Sequence, residues 1–383
     1  MKNRLAEMFD IEFPIFAFSH CRDVVAAVTN AGGMGVLGAL AFSPEQLELE
    51  LKWIDEHVGG KPYGVDVVMP VKTVDRDAGI DDVSDIGAKL REYISQDHWD
   101  YVDKILADHG VDISAHTDEL ESGAGMGAGV LGWTEATGAP QIEIALAHPI
   151  ALLASALGPP PKAAIDQAHE QGVKVAALIG RVEQAVRHVQ QGVDIIIAQG
   201  YEAGGHTGEV ASMVLVPDVV DAIAPVPVLA AGGIGSGRQM AAAMALGADG
   251  VWTGSIWLTT IENDYGGIIT DKLLAATSTD TVRSRAYTGK PARQLRTAWT
   301  DEWEDPANPD PLPMPLHGML IAEAQGRMRR SAANNDGARQ LVNYFVGQIV
   351  GTMNKVKPAR QVVLDMVEEY IDAAERVAHT LDT

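Results

Sequence analysis

A (β/α)8 TIM barrel of the α/β class, with a long insertion after the third strand and a helical C-terminal extension, is the fold the sequence predicts. Three observations lead to it. Eight short apolar, β-branched runs recur along the 383 residues. Amphipathic stretches of helix length separate most of them, the alternation expected of βα units. The first run is followed by "SHCRD", whereas an open doubly wound sheet places a glycine fingerprint there.

The predicted strands are 14–18 "PIFAF", 35–39 "GVLGA", 63–69 "YGVDVVM", 151–156 "ALLASA", 173–178 "VKVAAL", 194–199 "DIIIAQ", 227–231 "PVLAA" and 250–254 "GVWTG". Most are apolar throughout, as strands buried on both faces require. Helices are expected over 22–31, 44–58, 160–171, 181–191, 217–224, 236–246 and 264–276. The second is punctuated most clearly: Ser43 suits the N-cap, Glu45 and Gln46 the first turn, and Gly59 the stop.

Two regions exceed a minimal barrel, so the expected division is 1–70 with 149–279 as barrel, 71–148 as insertion, and 280–383 as a lid or helical C-terminal region. Within the insertion "DDVSDIGAKLREYI" and "DYVDKILADHG" read as helices and "LESGAGMGAGVLGW" as a glycine-rich loop. Residues 280–316, which carry most of the run "TDEWEDPANPDPLPMPLHG", read as irregular, being rich in proline and acid. Residues 317–380 read as helical again.

Composition narrows the function classes. Hydrophobic residues make up 46% and the mean hydropathy is +0.02, enough for a large core. The net charge of −23 repels phosphate backbones and anionic lipid, which argues against nucleic-acid and membrane partners. Cys21 is the one cysteine, so no intrachain disulfide or thiolate metal cluster is possible, and no metal is assigned. The N-terminus lacks a signal-peptide h-region. No apolar run reaches the roughly 20 residues of a membrane span. A cytoplasmic protein acting on a small molecule is expected, with homo-oligomerisation left open.

Barrels often bind phosphate with the loops after strands seven and eight. Here "AAGGIGSGRQ" follows the seventh strand and "GSIWL" the eighth. Gly232, Gly233 and Ile234 would form one wall of an anion site, Gly254 and Ser255 the other, because glycine lets backbone N–H groups approach an anion. Tight turns alone would also use glycines. The loop "AQGYEAGGHTGEV" leaves the sixth strand on the same face, packing Gly200, Gly204, Gly205 and Gly208 around His206. A histidine there can act as a general base. Glu202 would orient the loop or remain solvated. His20 and Cys21 could also reach the mouth, whereas His317 shows no ligand-like spacing.

The pieces "VTNAGGMGVLGA", "KPYGVDV", "GVDIIIAQGYEAGGHTG", "VPVLAAGGIGSGRQMAAAMALGADGVWTGSIWLTT" and "STDTVRSRAYTGKPAR" resemble the nitronate monooxygenases, over most of 10–70 and 150–295. The same blocks are shared with flavin-dependent enoyl reductases and quinone reductases. The resemblance implies non-covalent FMN, its phosphate on Gly232, Gly233, Gly254 and Ser255. It places the Ala17 and Phe18 backbone beside the flavin ring and makes Gln199, Gly204, Trp252 and Thr253 flavin contacts, with Gly205 in the same glycine run. It makes His206 the active-site histidine. Asp66 stands where an asparagine is common, and "AFSHCRD" lacks the family's Gly-Pro-Met stretch. The implied reaction oxidises an alkyl nitronate with O2 to a carbonyl compound and nitrite. An NAD(P)H-dependent reductase of an enoyl thioester or quinone is the alternative. A flavin-free phosphate barrel lacks its loop cysteine, and a non-enzymatic flavin-binding protein would bind FMN without turnover.

Overall fold

Each of the eight predicted runs becomes a parallel strand, and together they close a barrel in the computed structural model, which describes residues 1, 3–68, 90–113 and 135–381. The wall consists of β1 (Ile15–Ser19), β2 (Met34–Gly38), β3 (Gly64–Val68), β4 (Leu152–Ala156), β5 (Lys174–Ile179), β6 (Ile195–Gln199), β8 (Val228–Ala231) and β9 (Gly250–Thr253), with β9 pairing back on β1. The interposed β7 (Gly205–His206) belongs to a second sheet.

Alternation along the strands sorts side chains into two cores. Phe16, Met34, Val36, Leu152, Ala176, Ile195, Ile197 and Leu229 fill the barrel. The residues between them, such as Val65, Leu153, Ile196 and Val251, face the outer helices. This explains strands that are apolar at every position. The short Arg4–Phe9 helix, which the sequence reading passed over, adds Leu5 and Phe9 to the inner core, where the Phe9 ring meets Phe16 edge-on at 5.6 Å.

Two stretches differ from expectation. The helix expected over 217–224 runs over Ser212–Ile223, with Pro217 inside it; the proline removes one hydrogen bond of the helix instead of starting it. The region 280–316, expected to be irregular, is regular in part. It forms β10 (Thr281–Ser284), β11 (Ala292–Leu295) and the helix Ala298–Glu304. Trp299 and Trp303 lie four residues apart, bury one face of that helix and leave Asp301 and Glu304 exposed. Thr297 and Thr300 close its N-terminus as a capping box.

Of the stretches expected in the insertion, "DYVDKILADHG" falls on the helix Gln96–Asp108, while the glycine-rich loop and residues 81–89 lie outside the described residues. The helix Glu135–Ala147 packs on Pro44–His57 and on β3. After the barrel come Leu316–Ser331, Asp336–Leu341 and Ala359–Ala378. Among the described residues no helix is long and apolar enough to cross a membrane.

Candidate active site

The C-terminal ends of the strands open into a cavity of about 1500 Å³. Its floor is the uppermost inward layer of the barrel: Phe18, Gly38, Asp66, Leu178, Gln199, Ala231 and Trp252 all line it. Phe18 and Trp252 stack at 6.1 Å with 28° between ring planes, and Phe18 meets His20 edge-on. His20 Nδ1 donates to the Gly38 carbonyl at 2.8 Å, and burial lowers its pKa.

The two glycine walls face this floor. Gly232 and Gly233 take φ of +94° and +69°, a consecutive left-handed pair that side chains other than glycine rarely adopt. Packing also excludes a side chain there. A Cβ on Gly233 would sit 2.9 Å from Glu202 Cγ, and one on Gly232 3.1 Å from Ala203 Cβ. Among the described residues no acceptor takes the N–H groups of Gly233 and Ile234. On the other wall, a Cβ on Gly254 would meet little but Phe18, at 3.8 Å. The Ser255 hydroxyl accepts from the Gly347 N–H at 2.8 Å, so its own proton points elsewhere. Donors without acceptors, collected at two close-approach backbones, suit an anion.

The loop after β6 is held by its acid. Both Glu202 carboxylate oxygens accept from the Ser212 N–H, at 3.3 and 3.2 Å, and the Ser212 hydroxyl reaches the Ala231 and Gly232 carbonyls. Glu202 therefore ties the histidine loop to the first glycine wall, the orienting role considered from the sequence. Gly204 is crowded by Val346 and Gly347, which brings the segment after Asp336–Leu341 across the site.

His206 is placed by a sheet. β7 pairs antiparallel with β11, setting His206 opposite Ala292, and β11 pairs with β10. Its Nε2 lies 2.8 Å from Thr288 Oγ1, and its ring is 6.0 Å from that of Phe345. Burial first, and the nearby Lys290 charge second, lower its pKa to about 3. At neutral pH His206 is an uncharged imidazole. Asp66, deep in β3 and only 4% exposed, moves the other way: burial pushes its pKa up to about 7, against the opposing effect of an Ala156 N–H. A carboxyl in that state can carry a proton and donate.

The structure brings together Phe18, Asp66, Gln199, Gly204, Gly205, His206, Gly232, Gly233, Trp252, Thr253, Gly254 and Ser255 on one cavity. Ala17 is not among its lining residues; its side chain packs in the helix-facing core. Cys21 is buried, with its thiol on the Glu262 carbonyl, and His317 is buried with Nε2 on the Ala286 carbonyl. Sequence reasoning missed the wall beside His206: Tyr287, Thr288, Phe345, Gln325 and Arg329. The quoted block "STDTVRSRAYTGKPAR" was the one available signal for the first two.

Comparison with known proteins places this closed (β/α)8 barrel in a class, the flavin-dependent oxidoreductases. A model of the nitronate monooxygenase family matches residues 2–369, and the chain belongs to that family. The Rv1533 protein of Mycobacterium tuberculosis, whose name places it among monooxygenases, is 55% identical over 97% of both chains. A Staphylococcus aureus protein named for nitronate monooxygenase activity is 29% identical over 91% of each. Among solved structures, nitroalkane oxidase from Streptomyces ansochromogenes superposes with a TM-score of 0.77 at 24% identity, covering 97% of this chain and 99% of that one. FabK from Thermotoga maritima does so with a TM-score of 0.71 at 25% identity, covering 99% of each.

Proposed function

We propose that this protein is an FMN-dependent nitronate monooxygenase, oxidising alkyl nitronates with O2 to a carbonyl compound and nitrite. The observation that carries this reading is the buried His206, lining the same cavity as the glycine walls, where the N–H groups of Gly233 and Ile234 have no acceptor among the described residues. The FMN phosphate would take the N–H groups of Gly233 and Ile234, the Gly254 backbone and the Ser255 hydroxyl. The flavin ring would lie over the floor of Phe18, Gln199 and Trp252, with Asp66 donating to its edge while protonated. FMN, when bound, supplies the electron-accepting chemistry that a side chain cannot.

The protein's own groups divide the remaining work. Uncharged, His206 can accept the α-proton of a neutral nitroalkane, although burial makes it a weaker base than free imidazole; the same burial argues against a cationic role toward the nitronate oxygens. Phe18, Trp252 and Phe345, which line the cavity, would shield a bound substrate from water.

The cavity also supports a second reading. At about 1500 Å³ it exceeds the roughly 300–1,000 Å³ of an ordinary ligand pocket, so a flavin and a second extended ligand could share it. That would suit a nicotinamide-dependent reductase. One experiment separates the two: the visible spectrum of the purified protein, then anaerobic titration with a nitronate and separately with NADH and NADPH. Bleaching by the nitronate alone supports the monooxygenase. Rapid bleaching by a nicotinamide, with no response to nitronate, reverses the assignment.

A further inference from the structure

We propose that Arg329 is the binding residue for the anionic end of the substrate, a planar two-oxygen anion, aligned for that purpose by Tyr287. The inference rests on the reading of His206 as a neutral group, and its test does not require nitronate turnover. A nitronate carries a delocalised negative charge on two coplanar oxygens. An uncharged His206 gives it no counter-charge, so a cation in the same cavity must.

Arg329 sits on the helix Leu316–Ser331, on the face that also presents Gly318, Ala322 and Gly326 to the cavity. Those three small residues, spaced by four, keep that face of the helix low, while Ile321 and Gln325 of the same helix also line the cavity. Arg329 is partly buried, and among the described residues it has no carboxylate partner. Its Nη2 donates to the Tyr287 hydroxyl at 2.6 Å, and its Nε–H, shielded from solvent, has no acceptor among the described residues. A partly buried cation without an opposing charge is costly, and an anion in the cavity would relieve that cost. A guanidinium offers paired N–H groups to two coplanar oxygens, the geometry of its carboxylate complexes.

Tyr287 connects this cation to the base. It precedes Thr288, which holds His206. Its ring lies 4.6 Å from that of Phe345, which in turn lies 6.0 Å from the His206 ring. One dipeptide therefore positions the guanidinium and the imidazole on the same side of the cavity. The competing cations are committed or peripheral. Arg283 donates to Thr207 through Nε and Nη2, Arg181 pairs with Glu209, and Arg91, Arg187, Lys290 and Arg330 stand exposed on the rim.

Nitrate, a planar oxyanion that cannot be turned over as a nitronate, is the probe. Its binding to flavin-loaded protein is read by perturbation of the flavin absorbance and by calorimetry. Arg329→Met should weaken nitrate about 10-fold or more, with flavin content and melting temperature close to those of the parent. Arg329→Lys keeps the charge but loses the fork, and should fall between the two. Lys290→Met should leave nitrate affinity within about twofold of the parent. Equal nitrate affinity in Arg329→Met, loss of it in Lys290→Met instead, or no nitrate binding by the parent overturns the proposal. If Arg329→Met loses folding or flavin, Arg329→Lys and Tyr287→Phe replace it, and unchanged nitrate affinity in both overturns the proposal equally. Arg329-dependent nitrate binding in a protein that does not turn over nitronates would uphold the anion site and reject the nitronate reading.

Discussion

Thr288 Oγ1 lies 2.8 Å from His206 Nε2, although 82 residues separate them in the chain. The hydroxyl also reaches the Lys290 carbonyl at 3.2 Å. A hydroxyl has one proton. Donated to that carbonyl, it leaves the oxygen to accept from Nε2–H, and the imidazole lone pair then resides on Nδ1. Thr288 is in this way a positioning residue that selects the tautomer of the base.

Thr288→Val keeps the shape and removes the hydroxyl. An unsatisfied buried donor costs roughly 1–3 kcal/mol, so turnover of a neutral nitroalkane should fall by about 10-fold or more. Thr288→Ser should recover it. Nitrogen NMR of labelled protein should show Nε2–H in the parent and a mixture of tautomers in Thr288→Val. The parent tautomer persisting in the valine variant would end this account.

His206→Asn should retain flavin and lose about 10²–10⁴-fold in rate on neutral nitroalkanes, the usual contribution of a positioned base. A preformed nitronate needs no deprotonation and should keep most of its rate. The lowered pKa has a second consequence. The unfolded chain takes up the His206 proton near 6.5 and the folded chain only near 3, so this group lowers stability as pH falls through that window. Asparagine should remove that part of the acid sensitivity, read as melting temperature against pH. Equal loss of rate on both substrate forms would instead make His206 an anion ligand.

The barrel was legible because strands buried on both faces are written as uninterrupted apolar runs, recurring eight times with helix-like stretches between most of them. The glycine walls were legible because they directly follow such runs. What surrounds His206 was not. β7 has two residues and glycines about it, β10 and β11 lie some 75–90 positions further on, and their pairing appears only when the chain closes. Arg329 was hidden for a related reason: Gly318, Ala322 and Gly326 read as an ordinary small-residue helix face until the cavity in front of them is seen. The tryptophans of Ala298–Glu304 were masked by the acids between them.

Gly233→Val places a β-branched side chain at φ of +69°, with its Cβ only 2.9 Å from Glu202 Cγ. Both the left-handed backbone and the Glu202 tether to Ser212 would be disturbed. FMN affinity should fall steeply, and added FMN should no longer raise the melting temperature. Gly232→Ala, at φ of +94° and against Ala203 Cβ, should show a smaller change in the same direction. Unchanged FMN affinity in both variants would move the phosphate site elsewhere.

Asp66 gives the sharpest pH test. Its carboxyl is raised by burial to about 7 from an ordinary value of 3.8. Between those values the folded chain holds a proton that the unfolded chain has released, so stability falls as pH rises through the window, and the full penalty is present above it. The protonated carboxyl can donate to a flavin edge, and the carboxylate cannot. FMN affinity should therefore weaken as pH is raised past about 7, where stability also reaches its low plateau. Asp66→Asn donates at every pH. It should flatten the affinity profile, raise the melting temperature at pH 8 and change it little near pH 4. Fluorescence titration of FMN at several pH values, alongside melting curves of the FMN-free protein, separates the two effects. A pH profile of affinity identical in parent and Asp66→Asn would show that this carboxyl does not touch the flavin. An identical profile of stability would show that burial does not hold its proton.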